Sequence, residues 1–326
     1  MACEYSFGRN DDLLADPARA NVLRNNIRSL LRTTNFAKHF PWIRDLLALL
    51  PEKYAPPGVQ DMMKFRRQIR QQIVEILDQK PSSMQTAQRD TSIFNVLIAS
   101  PKLPPSEKSL KRLEDEATLL VMAGTDSPAT SLTIAHYYLL ENPTIMAKLR
   151  QELAEKPSST LPELERLPYL NAVLTEAHRL LFGLSGRHPQ IDPDNHITYA
   201  DKSTDRHYVY PPGTVMGVQT LVLHTNENIF PDPWVFKPER WLGSDGASRR
   251  KYLLSFNKGP RQCLGIHLAN AELCLALSVI AQWDMELFET DEDDVKFLHD
   301  YFVAAPRLDS KGVRVRVKSR AMTLTE

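Results

Sequence analysis

FNKGPRQCLG, residues 256–265, is a glycine-punctuated loop with one cysteine, Cys263, and it runs straight into an apolar helical stretch, LGIHLANAELCLALSVIAQ. A thiol just ahead of a helix meets unpaired N–H groups and the positive end of the helix dipole, both of which favour the thiolate. Gly259 and Gly265 carry no side chain, so the backbone can turn sharply and lie close to a flat ligand. Arg261 adds a permanent positive charge suited to a carboxylate on that ligand. A lone cysteine is commonly a small buried hydrophobe, but the whole pattern F-x-x-G-x-R-x-C-x-G asks for more. Thiolate, flat approach and guanidinium together assign Cys263 as an axial ligand of haem iron, where a thiolate donates strongly to the metal.

The ten residues resemble the signature of the cytochrome P450 haem-thiolate monooxygenases, with Phe256, Gly259, Arg261, Cys263 and Gly265 all in place. The resemblance implies a mainly α fold with a small β-sheet and a heme b held through Cys263. It also implies insertion of one oxygen atom from O2 into a small organic substrate. Electrons would arrive from NADPH through a partner, NADPH-cytochrome P450 reductase.

Composition sets bounds on this expectation. With 326 residues, 42% hydrophobic and 25% charged, the chain reads as an ordinary globular sequence able to bury a sizeable core, taken here as a single domain over residues 1–326. Forty basic and forty acidic residues cancel, which removes a global electrostatic case for nucleic acid or an anionic membrane. Three cysteines, Cys3, Cys263 and Cys274, are too few for a disulfide framework and point to a reducing compartment. The longest apolar run, near 268–283, is interrupted by Glu272, and the first residues do not resemble a signal peptide.

The opening ACEYSFGRNDDLL resembles the end of a helix well inside the family fold. On that alignment the first third of a usual family chain, with its membrane anchor, first strands and one haem-covering helix, is absent. Family members are anchored at the endoplasmic reticulum; without the anchor this chain is expected in the cytoplasm, or its location is unknown. Residues 17–50 give two helical patterns broken at Pro41, with Trp42, Ile43, Leu46 and Leu47 as an expected buried stripe, or, by resemblance, part of a lid above the haem. A longer helix follows, with Ile69, Ile73, Ile76 and Leu77 on one face and its basic residues on a solvated face. Residues 80–90 read as a linker.

Ser106 is expected to cap a long helix running to about Asn142. In its middle stands AGTDSPAT, residues 123–130, where Gly124 and Pro128 predict a local opening of the helix, since proline has no N–H for the carbonyl four residues back. The segment resembles the family's oxygen-activating A-G-x-[DE]-T, with Ser127 where threonine is usual. By that resemblance Gly124, Asp126 and Ser127 are the catalytic residues, the last two as a proton relay.

Two further motifs lie downstream. In YLNAVLTEAHRLL, Leu170, Val173, Leu174, Ala177 and Leu181 form a buried stripe, and Glu176 and Arg179 face the same way. They match the family's E-x-x-R, whose third member would be Arg240 of FKPERW, forming a structural triad that locks the chain beneath the haem. GRHPQI, residues 186–191, has Gln190 where similar fungal enzymes carry a propionate-binding arginine, and His188 where they carry an apolar residue. HYVY and TVMGVQTLVL read as strands, FVAAP as hairpin-like, Cys274 as packing, and DEDD, residues 291–294, as an exposed acidic run. Arg249, Arg250, Lys251, Lys258 and Arg261 are either a docking face for an acidic electron donor or a solvated surface. The sequence therefore reads as a fungal secondary-metabolism type of P450 monooxygenase; the alternatives are a truncated, catalytically inactive remnant and a helical interaction protein without haem.

Overall fold

The computed structural model describes residues 2–9, 12–49, 51–78, 92–155, 160–201 and 203–320. The linker read at 80–90 lies outside the described residues. The helices are α1 (Ala2–Phe7), α2 (Pro17–His39), α3 (Pro41–Ala48), α4 (Pro57–Asp78), α5 (Ile93–Ala99), α6 (Leu110–Glu141), α7 (Pro143–Glu155), α8 (Leu161–Leu164), α9 (Pro168–Leu181), α10 (Thr220–His224), α11 (Gly243–Arg249) and α12 (Ile266–Ile280). The strands are β1 (Gln190–Ile191), β2 (Ile197–Asp201), β3 (Arg206–Tyr210), β4 (Val215–Met216), β5 (Trp283–Leu287), β6 (His299–Asp300), β7 (Ala304–Ala305) and β8 (Val315–Arg320). They pair antiparallel as β1–β4, β2–β3, β5–β8 and β6–β7, so the expected small sheet is a set of two-stranded ribbons, and FVAAP does form one arm of a hairpin. TLVL is not a strand. It forms α10, because the chain after Gln219 turns to bury Thr220 and His224.

Two compact units make up the chain: Met1–Thr133 with Leu264–Leu277, and Ile134–Cys263 with Ser278–Glu326. The first is built on an apolar cluster of Phe7, Ile27, Ile69, Ile73, Phe94, Ala117 and Val121, with Phe7 and Phe94 stacked at 5.4 Å. Asp16 starts α2 by accepting the Arg19 N–H at 3.0 Å, with Pro17 in the first turn where its missing N–H costs nothing. On α3 the expected buried stripe is not seen at Trp42, which is 60% exposed, or at Leu46, also exposed, while Ile43 is half-buried; the Leu47 side chain lies outside what is described. On α4, Ile69, Ile73 and Ile76 are buried but Leu77 is exposed. The basic residues of α4 are not merely solvated, since Arg66 and Arg70 both reach Glu114 on α6.

α6 begins at Leu110 rather than Ser106, because residues 105–108 form a tighter 3-10 turn first. It then runs unbroken as α-helix through Gly124 and Pro128. The expected opening does not interrupt the helix, although Pro128 offers no N–H to the Gly124 carbonyl; Thr125, Ser127 and Thr130 donate their hydroxyls to the carbonyls of Val121, Ala123 and Asp126, four residues back, at 2.6, 2.7 and 2.9 Å. Gly124 serves packing instead, since a Cβ there would lie 3.3 Å from Cβ of Ala2 on α1.

In the second unit α9 is nearly enclosed, with only Pro168 and Asn171 of its fourteen residues outside the buried set. It lies against the 3-10 turn Pro238–Trp241, where Ala172, Phe230 and Trp241 form a small apolar cluster. Asp294 departs from the exposed reading of DEDD. It is buried, closing a capping box with Asp291 and held by Arg307 at 2.8 Å and Ser310 at 2.5 Å. Burial pushes its carboxyl up, but Ser310, the Asp291 N–H and Arg307 outweigh burial and hold it below the usual range.

Candidate functional site

α9 ends at Leu181, and Phe182 and Gly183 both adopt left-handed backbone, with φ of 60° and 63°. This turn brings the end of the helix against the base of the cysteine loop. A Cβ on Gly183 would stand 2.6 Å from the Ser255 carbonyl oxygen, so only glycine allows the approach. The Ser255 hydroxyl donates to the His178 carbonyl at 2.5 Å, and the Phe256 ring meets the His178 ring edge-on at 4.7 Å. One further tie comes from His224, whose Nε2 accepts the Leu254 N–H at 3.0 Å.

Beyond its base the loop folds on itself. Asn257, at φ 57°, bends the chain; Gly259, at φ 74°, opens a 3-10 turn closed by Gln262 N–H donating to Gly259 O at 3.0 Å. The Cys263 N–H donates to Phe256 O at 2.8 Å, which fixes the cysteine across the mouth of the loop. Cys263 is exposed and its neighbour Leu264 is 90% exposed. Helix α12 starts three residues later, Gly265 accepting the Ala269 N–H at 2.9 Å. A Cβ built on Gly259 or on Gly265 meets nothing within 4 Å. One presented thiol, glycines facing open space and the exposed Arg261 fit a flat, anionic macrocycle with a single protein ligand to its metal. Among the described residues no group of three or more His, Cys, Asp or Glu side chains could form a different metal centre.

Beneath the loop, Glu176 is fully buried and accepts five hydrogen bonds. Arg179 gives two, Nε at 2.9 Å and Nη2 at 2.8 Å; Arg240 Nε gives one at 3.0 Å; the Lys237 N–H and Trp241 Nε1 give the others at 3.0 and 2.8 Å. The remaining guanidinium protons find carbonyls. Arg179 donates to His224 and Pro233, and Arg240 to Pro231, Asp232 and Val235. The structure thus brings Glu176, Arg179 and Arg240 together, with Trp241, Lys237 and His224, which the motif reading did not include.

Asp126 and Ser127 lie side by side on α6. Burial raises the Asp126 carboxyl above its ordinary range, and the charge of Arg28 on α2 opposes that rise. Ser127 points its hydroxyl at Ala123 O. Gln190 is exposed in β1 opposite Met216, and His188 Nε2 lies 3.2 Å from Leu184 O. In the basic cluster, Arg249 turns inward to Ile229 O and Arg240 O, and Arg250 lies over Trp241 and donates to Thr175. Lys251, Lys258 and Arg261 remain exposed. Cys274 is buried, as a packing residue should be.

The model of the cytochrome P450 family matches residues 1–307. The chain is 34% identical over 332 residues to cytochrome P450 monooxygenase orf4 of Eupenicillium brefeldianum, covering 97% of this chain and 63% of that one. It is 33% identical over 326 residues to conidiogenone synthase PchP450 of Penicillium rubens, covering 98% of this chain and 64% of that protein. A crystal structure of a cytochrome P450 superposes with a TM-score of 0.66 at 21% identity, over 97% of this chain and 65% of that one. The retinoic acid bound structure of a cyanobacterial P450 gives a TM-score of 0.63 at 21% identity. The chain belongs to the cytochrome P450 family, and its fold is the mainly helical P450 fold. It spans a little under two thirds of the length of the curated relatives it matches. No helix among the described residues is long and apolar enough to cross a membrane.

Proposed function

We propose that this chain carries the haem-thiolate core of a monooxygenase that inserts one oxygen atom from O2 into a small organic molecule of fungal secondary metabolism. The observation that carries this reading is Cys263, an exposed thiol clamped by its own N–H to Phe256 O beside two glycines that face open space. A haem bound there would supply the redox-active iron needed to activate dioxygen. Cys263 would hold it as the thiolate ligand, whose strong donation to iron is the chemistry the loop would supply. Arg261 offers a permanent charge to a propionate, while the open faces of Gly259 and Gly265 leave room for the ring.

Asp126 and Ser127 supply protons in this reading. Burial raises the Asp126 carboxyl above its ordinary range, and the charge of Arg28 limits that rise. Asp126 is the acid and Ser127 the hydroxyl of the relay, Ser127 becoming available when its Oγ rotates about χ1 away from Ala123 O. Without the methyl of threonine this rotation is less restricted. The electron source is NADPH through NADPH-cytochrome P450 reductase; Lys251 and Lys258 are the exposed cations left for an acidic donor, Lys258 resting on the Lys251 carbonyl, whereas Arg261 is assigned to the propionate and Arg249 and Arg250 are committed to internal contacts.

The test is Cys263→Ser, read by haem content and by the carbon monoxide difference spectrum of the reduced protein. The substitution is expected to abolish the thiolate-type peak, because a hydroxyl donates far less to iron. A variant that keeps the wild-type peak removes Cys263 as the ligand.

A further inference from the structure

His224 sits in the sequence LHTN, with no periodic partner and no motif of its own, and yet its side chain is wholly buried and fully used. Nδ1 lies 2.9 Å from Arg179 O, and Nε2 lies 3.0 Å from the N of Leu254. A carbonyl can only accept and a backbone N–H can only donate. The ring must therefore be neutral, with its proton on Nδ1 and its lone pair on Nε2. The main chain of His224 also accepts Nη1 of Arg179 at 3.0 Å, so the two residues grip each other twice. Arg179 is in turn locked to Glu176. On the other side, Leu254 stands directly before Ser255 and Phe256, and Phe256 O receives the Cys263 N–H. The rings of Phe182 and Phe230 lie near the imidazole at 6.0 and 6.1 Å, and the charged groups near it are Arg179 and Glu176.

We infer that His224 is the joint through which the buried Glu176–Arg179–Arg240 network sets the position of the cysteine loop. It is a positioning residue, touching neither substrate nor cofactor. Its two nitrogens join the end of α9 to the base of the loop, and each makes a bond the other cannot replace. The inference rests on Cys263 being the haem ligand only for its consequence, and the link itself stands apart from that assignment.

The two bonds can be cut separately. In His224→Asn the amide group matches Nδ1, keeping the tie to Arg179 O and losing the acceptor for Leu254. In His224→Gln the longer amide reaches the Nε2 position and keeps the acceptor. Hydrogen exchange at the Leu254 amide is expected to quicken about tenfold in H224N, as for one lost buried hydrogen bond, and to stay near wild type in H224Q. In haem-loaded protein, H224N should lose part of the thiolate-type carbon monoxide peak that H224Q retains. Equal exchange in wild type and H224N, or equal loss in both variants, overturns the proposal, as does faster exchange in H224N with an unchanged peak. Should neither variant fold, nitrogen-15 NMR of the wild-type imidazoles decides: the Nδ1–H form at neutral pH is expected, and the Nε2–H form overturns the joint. Failure of Cys263→Ser to alter the spectrum would sink the ligand assignment while leaving the exchange result intact.

Discussion

Glu176 and Glu114 are each a buried carboxylate met by two arginines, yet they are built differently. Glu176 and its arginines are almost entirely enclosed, and each terminal guanidinium nitrogen of both arginines donates to a carbonyl of the segment 224–235. Glu114 on α6 receives Arg66 at 3.0 and 3.1 Å and Arg70 at 3.1 Å, but the Arg70 side chain is half in water. Both arrangements join segments distant in sequence. In the first, desolvation of three charges makes loss of any one member costly, whereas in the second water can replace a lost partner. The lesson is that similar charge sets act as a lock or as a mild adhesive according to what encloses them.

The largest effect expected is from Glu176→Ala, which leaves two buried guanidiniums facing each other; it should cost about 3–5 kcal/mol in denaturant unfolding, or prevent folding outright. A loss no larger than that of Arg70→Ala would erase the distinction between the two networks.

Next comes the pH dependence of the same region. Burial lowers His224 from 6.5 to about 4, outweighing the hydrogen bond to the Arg179 carbonyl, which raises it. A histidine whose folded pKa is depressed contributes stability that is fully present above the unfolded value and is lost as pH falls from 6.5 through about 4. At about 1.4 kcal/mol per unit, the loss amounts to roughly 3 kcal/mol. Unfolding measured from pH 7 to pH 4 should show that slope in wild type and a reduced one in His224→Gln, and parallel curves would contradict it.

Gly183→Ala probes the lock from its edge. A left-handed residue with its Cβ driven against Ser255 O should cost about 1–3 kcal/mol. Exchange should quicken at 254–256 more than in α4. An alanine variant with wild-type stability would mean that the turn can yield without disturbing the loop.

The smallest effect is expected at the open network. Arg70→Ala should cost less than about 1 kcal/mol, and the difference should shrink at high salt. A loss several times larger, insensitive to salt, would show that Glu114 is as dependent on its partners as Glu176.

The sequence alone determined what local chemistry dictates. The cysteine loop was legible because glycine, arginine and cysteine at fixed spacing serve a single backbone turn, and helices were legible from their period, as over 17–39 and in YLNAVLTEAHRLL. The E-x-x-R pair was legible because three residues along a helix face the same way. Tertiary structure decided the rest. Gly124 and Pro128 predict a break from local rules alone, yet α6 continues through them, with Gly124 set close against Ala2 of α1, a neighbour only the folded chain supplies. TLVL is a short apolar run that fits a strand as well as a buried helical turn, and it is helical, with Thr220 and His224 turned inward. DEDD looked solvated until Arg307 and Ser310, more than ten residues on, closed over Asp294. His224 itself carries no sequence signal, because its tautomer and its function are fixed by a carbonyl 45 residues before it and an N–H 30 residues after it. Those two groups meet only once the chain has folded.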